Sequence, residues 1–431
     1  MKFFCTSGFV LLASMGWAAH TASAQGGDYA PSLLPLPSAA PIAATVAPTT
    51  YYTDPGDYSV NPNIGDASGS SRAKTPSQFT ADTAPEPTPA TDLNEALHAP
   101  CCDECSTCNN ACGGRFFGAA AGLVMGRNRA NPYWTTYQTN NNPNQLMNTQ
   151  NAGADWSGGG QITVGYAFCG CGGPAVAFTY WGLAPMNGFA SVTDQTGNIN
   201  TALSTPMDLG GVTMNNGNPA SDYFDNAHEQ RIWRTDRFNN FELNAYTGLY
   251  NVGRLQFAGL AGLRYFRFSE NLTYGSVQFG HNFGDNGGAD EAYLGSTCIN
   301  NLFGAQIGCV LNYNVTNRVS VFLIPKVGLY GNQMNCQTLL YTGDAANNPT
   351  YNILAHKSDV SMLSELDAGF SWAFRSNWRA FLGYRVIGVN NVALGDNQFL
   401  PFLADTQGFG QVKQDGSLIL HGAFSGIAWA F

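Results

Sequence analysis

Four cysteines, Cys102, Cys105, Cys108 and Cys112, are spaced C-x2-C-x2-C-x3-C, and Cys101 directly precedes the first. Thiolates at this spacing hold iron–sulfur clusters in ferredoxins. Two features turn the reading away from a cluster. Gly113 stands where that motif has proline, and no second cluster motif follows. Disulfides and a zinc site remain, and the compartment decides between them. A second set of residues is ionic: Glu242, Arg264, Lys326, Glu365, Asp367, Arg379 and Arg385 each interrupt an otherwise apolar or small-residue stretch. Charges placed so either pair with one another or line a constriction that selects solutes. His228, His281 and His356 lie in polar stretches with Asp and Ser around them, but neither Gly-x-Ser-x-Gly nor His-Glu-x-x-His occurs. No enzyme, cofactor or resident metal is expected.

The compartment is read from the first residues. Lys2 precedes an apolar stretch from Phe9 to Ala19, and Ala22-Ser23-Ala24 follows. This is the build of a secretory signal peptide over residues 1–24, and its apolar run is shorter than the ~20 residues of a spanning helix. Export favours disulfides over zinc for the cysteine cluster. Residues 25–100 are rich in Pro, Ala, Ser and Thr and poor in large apolar side chains. Such a stretch cannot offset its ordering entropy and is expected to be a disordered linker. The cysteine cluster occupies 101–112.

The remainder, 113–431, has the composition of a membrane wall. Charged residues make up 11% of the chain and aromatics 13%, whereas a soluble domain carries about 25% charge. Charge is costly on a lipid-facing surface, which accounts for the deficit. A net charge of -10 argues against a nucleic-acid partner. Apolar residues alternate with small or polar ones at strand period. Phe303, Ala305, Ile307, Cys309, Leu311, Tyr313 and Val315 fall on one face, and Gly304, Gln306, Gly308, Asn312 and Asn314 on the other. Short connections at Cys169–Gly173, Asn251–Gly253, Thr316–Arg318 and Arg375–Asn377 alternate with long polar ones near 127–155, 182–238, 269–300, 332–360 and 391–416. Transmembrane barrels join their strands in this way. The expected fold is all-β: a closed antiparallel transmembrane barrel of about ten strands, or twelve if the connection 182–238 hides another hairpin. Pro325, within a strand, predicts a bulge or local distortion.

The tight turns fix registers. Symmetric closure of Arg375–Asn377 sets Asp367 opposite Arg385, with Glu365 and Arg379 on the same inner face. Arg264, Lys326 and Glu242 share that inward parity. Symmetric closure of Thr316–Arg318 sets Cys298 opposite Cys336, close enough for a disulfide. Cys309 has lipid-face parity. Cys169 and Cys171 lie within the tight connection Cys169–Gly173 and are further disulfide candidates. The chain ends on a strand in which Ile427, Trp429 and Phe431 share one face. That is the form of terminal strand by which the outer-membrane assembly machinery recognises its clients.

The order of these parts resembles the β-barrel porin family of planctomycetes numbered seven. The resemblance rests on the Pro-rich linker, the cluster Cys101-Cys102-Asp103-Glu104-Cys105, a glycine-rich first strand, and strands such as Ala261-Gly262-Leu263-Arg264-Tyr265. It implies a pore for small solutes and supplies no catalytic residues. The rival expectation is a barrel anchor whose external loops bind surface ligands. Both place the chain in a lipid bilayer of the bacterial outer membrane. Deleting Phe431 is expected to lower the amount of barrel in the outer membrane, measured by fractionation and surface labelling; unchanged levels would show that the terminal residue carries no assembly signal.

Overall fold

The computed structural model describes residues 114–128, 131–168, 173–203, 207–399, 408 and 410–431. The signal segment, the linker, the cysteine cluster and Cys169 and Cys171 lie outside the described residues. Among those described, fifteen strands join one sheet. In chain order they are β1 (Arg115–Arg127), β2 (Trp134–Gln138), β3 (Asn141–Asn148), β4 (Ser157–Ala167), β5 (Ala175–Leu183), β6 (Met186–Thr193), β7 (Ile199–Thr201) and β8 (Ala227–Tyr246). Then follow β9 (Tyr250–Val252), β10 (Leu255–Gln278), β11 (Glu291–Asn314), β12 (Val319–Thr342), β13 (Tyr351–Arg375), β14 (Trp378–Val392) and β15 (Gly416–Ala430).

Ten of these strands close a barrel, in the order β1, β4, β5, β8, β10, β11, β12, β13, β14 and β15. The seam is antiparallel and runs from Phe117 opposite Ala430 to Arg127 opposite Leu420. The Phe431 amide extends it, donating to the Phe116 carbonyl at 2.9 Å. The extra hairpin that would make twelve wall strands is absent among the described residues. β5 pairs with β8 as far as Gly182 opposite Asn239, and β6 resumes on the same edge with Met186 opposite Asp236. The two are one wall strand interrupted at Ala184-Pro185, where proline has no amide to donate.

Alternation decides which side chains face lipid. On β10, Leu255, Leu263 and Tyr265 face outward, while Ala258, Leu260, Arg264 and Phe266 are buried inside. Outward apolar residues of the other barrel strands complete a belt, among them Val164, Phe178, Leu243, Phe303, Ile307, Leu329, Phe370 and Leu382. Tyr313, Phe374, Trp378 and Phe431 are exposed at its turn-side edge, and Trp378 packs on Trp429 at 6.0 Å. At the other edge Tyr384 bonds His421 at 2.7 Å, and Trp156 packs against the same histidine. Aromatic rings at both borders of an apolar band mark the interfaces of a membrane-spanning barrel.

Two expected long connections are mostly strand. β10 runs to Gln278 and β11 starts at Glu291, and β12 runs to Thr342 and β13 starts at Tyr351. Here the outward row turns polar while the inward row stays buried, because the wall continues past the belt into water. Pro325 distorts its ladder without shifting register. Pairing of β11 with β12 lapses between Gly308 opposite Lys326 and Leu311 opposite Leu323, and both sides keep one alignment. Gly253, at φ 63°, makes the turn between β9 and β10, a conformation that suits glycine.

The expected register brings Cys298 directly opposite Cys336, and the two form a disulfide with Cα atoms 4.2 Å apart. Cys309 is outside that bond, on the outward row. Reducing the disulfide, or replacing both cysteines by alanine, should cost about 4 kcal/mol of loop-closure stabilisation. Urea titration in detergent micelles reads this, and identical midpoints with and without reductant would refute the bond.

Candidate functional site: the filled lumen

The inward rows of β8 and β10 build the interior in layers. Rising from the turn side, β8 presents Glu242, Asn240, Phe238, Asp236, Arg234 and Ile232, and β10 presents Arg264, Phe266, Phe268, Glu270, Leu272 and Tyr274. Each of these twelve side chains is buried. The sequence therefore alternates charged and apolar layers up the barrel axis.

The lower charged layer contains three carboxylates, Glu242, Glu365 and Asp367, and three cations, Arg264, Lys326 and Arg385. Arg264 Nη2 meets Glu365 at 2.6 Å. Lys326 Nζ bridges Glu242 at 3.0 Å and Glu365 at 2.8 Å. Arg385 holds Asp367 through two parallel bonds of 2.7 and 2.8 Å. The expected register is met directly, with Asp367 opposite Arg385. Amides complete the layer. Asn240, Asn244 and Gln306 each donate to Glu242 at 2.9 Å. Arg385 Nη1 crosses the lumen to Gln161 of β4 at 2.9 Å. Six of the seven predicted charges thus belong to one network. Arg379 sits nearer the turns and donates to Ser320 and Ser371 at 3.0 Å each. A small cavity of about 130 Å³ lies between Arg379 and the network, walled by Phe322, Phe381 and Phe424.

An aromatic layer covers the network. Trp181 packs on Phe266 at 6.1 Å and Phe238 stacks on Phe268 at 5.1 Å. The Arg385 guanidinium lies over the Trp181 and Phe424 rings at 5.8 and 5.3 Å, so the two layers are in contact.

The next charged layer was not expected from sequence. Arg127 meets Asp236 at 2.8 Å, and Arg234 bonds Glu270 and, at 2.5 Å, Asp396. Asp396 arrives from the connection between β14 and β15, which folds into the barrel mouth. There the Gly395 amide donates to Glu270 at 3.1 Å, and Asn300 exchanges bonds of 2.8 and 2.9 Å with the Ala393 backbone. Arg234 also donates to the carbonyls of Thr149 and Ala152, which fastens the connection after β3. Burial pushes the Asp396 carboxyl above its ordinary value, against the pull of Arg234. These residues lie in stretches that read as loops. The available signal was the inward alternation of Phe268, Glu270, Leu272 and Tyr274, which continues past the point where the outward row turns polar.

No family model matches the sequence, so the resemblance to the planctomycete porin family gains no support there. No curated protein matches it either. Solved structures with partial likeness are bacterial barrels. The outer membrane protease OmpT of Escherichia coli is 11% identical, covering 76% of this chain and 99% of its own, with a TM-score of 0.38. A major outer membrane protein of Thermus thermophilus is 13% identical over 74% of this chain and 99% of its own, with a TM-score of 0.27. The toluene transporter TbuX of Ralstonia pickettii is 10% identical over 74% and 89%, with a TM-score of 0.25. At these scores neither protease nor transport activity passes to this chain.

Replacing Asp367 by Arg removes the two-bond partner of Arg385 and sets like charges opposite each other on the ladder. Breaking a buried pair from one side costs roughly 3–5 kcal/mol. Urea midpoints in lipid vesicles are expected to fall accordingly; an unchanged midpoint would separate Asp367 from the stability of the layer.

Proposed function

We propose that this chain is an exported protein of the bacterial outer membrane, and that its barrel is a sealed anchor rather than an open pore or an enzyme. The observation that supports this is direct bonding between walls that do not adjoin. Arg385 of β14 reaches Gln161 of β4, Arg264 of β10 reaches Glu365 of β13, and Arg127 of β1 reaches Asp236 of β8. Barrels of about eight strands are just wide enough for side chains to fill, and ten strands add little. Long side chains meeting across the lumen, with aromatic rings between the charged layers, fill that added width. What the anchor holds outside the membrane is a tall wall of β8, β10, β11, β12 and β13, with β6 along its edge.

The solute channel implied by the sequence resemblance requires both charged layers to part. Planar-bilayer recording distinguishes the readings. Purified full-length protein is expected to insert without steady ohmic steps, and heat-modifiable gel migration confirms that it is folded. Reproducible single-channel steps from folded protein would overturn the anchor reading and favour the channel.

A further inference from the structure

The outward face of the tall wall has its own order above the belt. On β10 the outward row leaves lipid at Tyr265 and continues Arg267, Ser269, Asn271, Thr273 and Gly275. On β8 it leaves at Phe241 and continues Asn239, Arg237, Thr235 and Trp233. Arg267 pairs with Asn239 and Ser269 with Arg237, so the two arginines are diagonal neighbours at the membrane border. Both are exposed, and neither has an ion-pair partner among the described residues. Between the belt and Trp233 the described outward rows of β6, β8, β10 and β11 carry no carboxylate. Diagonal like charges on one face repel weakly in water, and an anion between them relieves that repulsion and gains two charged donors. Asn239 lies beside both, and its Oδ1 is already taken by the Tyr180 hydroxyl at 3.2 Å, leaving its NH2 group to donate.

Farther out the same face changes chemistry twice. First come uncharged amides and hydroxyls: Asn187, Thr235, Ser269, Asn271, Thr273 and Thr297. Then an aromatic row crosses the strands. Phe189 of β6, which is 55% exposed, meets Trp233 at 6.0 Å. Trp233 meets Tyr293 of β11 at 6.0 Å, and Tyr293 stacks on Tyr341 of β12 at 5.2 Å. Trp233 and Tyr293 meet across β10 only because Gly275 between them has no side chain; a Cβ there would stand 2.8 Å from Trp233. Roughly 30 Å of strand separates this row from the last belt residue on β10, so it is not the membrane's own aromatic border.

We infer that this wall binds a phosphorylated glycolipid of the outer leaflet, with a phosphate on Arg237 and Arg267 and the glycan rising over the amide–hydroxyl field to the Phe189–Trp233 platform. Charge complementarity sets the lower end, since paired guanidiniums are good phosphate ligands. Sugar hydroxyls match an uncharged field of amides and hydroxyls, and aromatic faces take the apolar faces of pyranose rings.

The inference rests on the membrane placement proposed above, and heat-modifiable migration, which reads only the folded barrel, keeps the two separable. The test uses full-length protein in phosphatidylcholine nanodiscs doped with a diphosphorylated glycolipid that carries core sugars, read by native mass spectrometry. Wild type is expected to retain the glycolipid. The Arg237→Gln/Arg267→Gln double variant should bind it roughly tenfold more weakly or worse. Trp233→Ala should weaken the full glycolipid and leave binding of its sugar-trimmed form unchanged. Equal retention by the double variant would overturn the inference. So would equally effective competition from phosphatidylglycerol or inorganic phosphate, or a dimer of this chain forming at the wall whether or not glycolipid is present.

Discussion

Inside a bilayer every backbone amide must find its partner within the wall, because unpaired groups in hydrocarbon cost several kcal/mol each. The pairing of β15 with β1 is where that requirement is met. Without it two long edges stand open in lipid. With it the number of strands is fixed at ten, and so is the width of the interior. The rest of the molecule follows from what can be placed in a cylinder of that width and from what faces its two sides.

The interior is filled by stacking unlike layers. Charged side chains long enough to meet at the axis make each ionic layer, and flat rings between the layers keep water from the ion pairs. A purely apolar filling would pack as well. Charges add direction: an Arg385–Asp367 fork or an Arg264–Glu365 contact is satisfied only in one register, and a register slip of one residue turns every inward residue to lipid. The ion pairs thus select among strand alignments that hydrophobic burial alone distinguishes weakly. They act as contacts that specify the fold, whatever their net contribution to stability.

Much of this was legible in the sequence. Period-two alternation, tight turns and the terminal aromatic strand pointed to the barrel. Symmetric closure of two turns placed Asp367 opposite Arg385 and Cys298 opposite Cys336. These pairings are legible because a three-residue turn leaves little freedom in register and parity does the rest. The upper ionic layer was not legible in the same way. The outward row reports lipid, and strands read from it end where it becomes polar. For β10 that is Arg267, although inward Phe268, Glu270, Leu272 and Tyr274 carry the strand onward. An outward row marks where the membrane ends, and an inward row marks where the strand ends. Asp396 was out of reach for a different reason: its place depends on how a connection folds back into the mouth, and no periodicity encodes that.

The two ionic layers differ in a way that bears on any opening of the barrel. In the lower layer, every charged member and Gln161 stand on wall strands, and three cations balance three carboxylates. At membrane depth such balance is required, since an uncompensated charge has no water to turn to. Glu242, Glu365, Arg264, Lys326 and Arg385 each contact more than one buried partner, so none of the five can leave alone. The upper layer sets two arginines against three carboxylates, and one of those carboxylates, Asp396, belongs to a connection. Burial favours the protonated form of Asp396, which brings the layer toward neutrality while the connection stays docked. Undocking it takes Asp396 into water and leaves two against two, also a balanced set. The upper layer can therefore open by moving one connection, whereas opening the lower layer means repacking the barrel wall. In the sealed-anchor reading, the lower layer is the part that keeps the lumen shut.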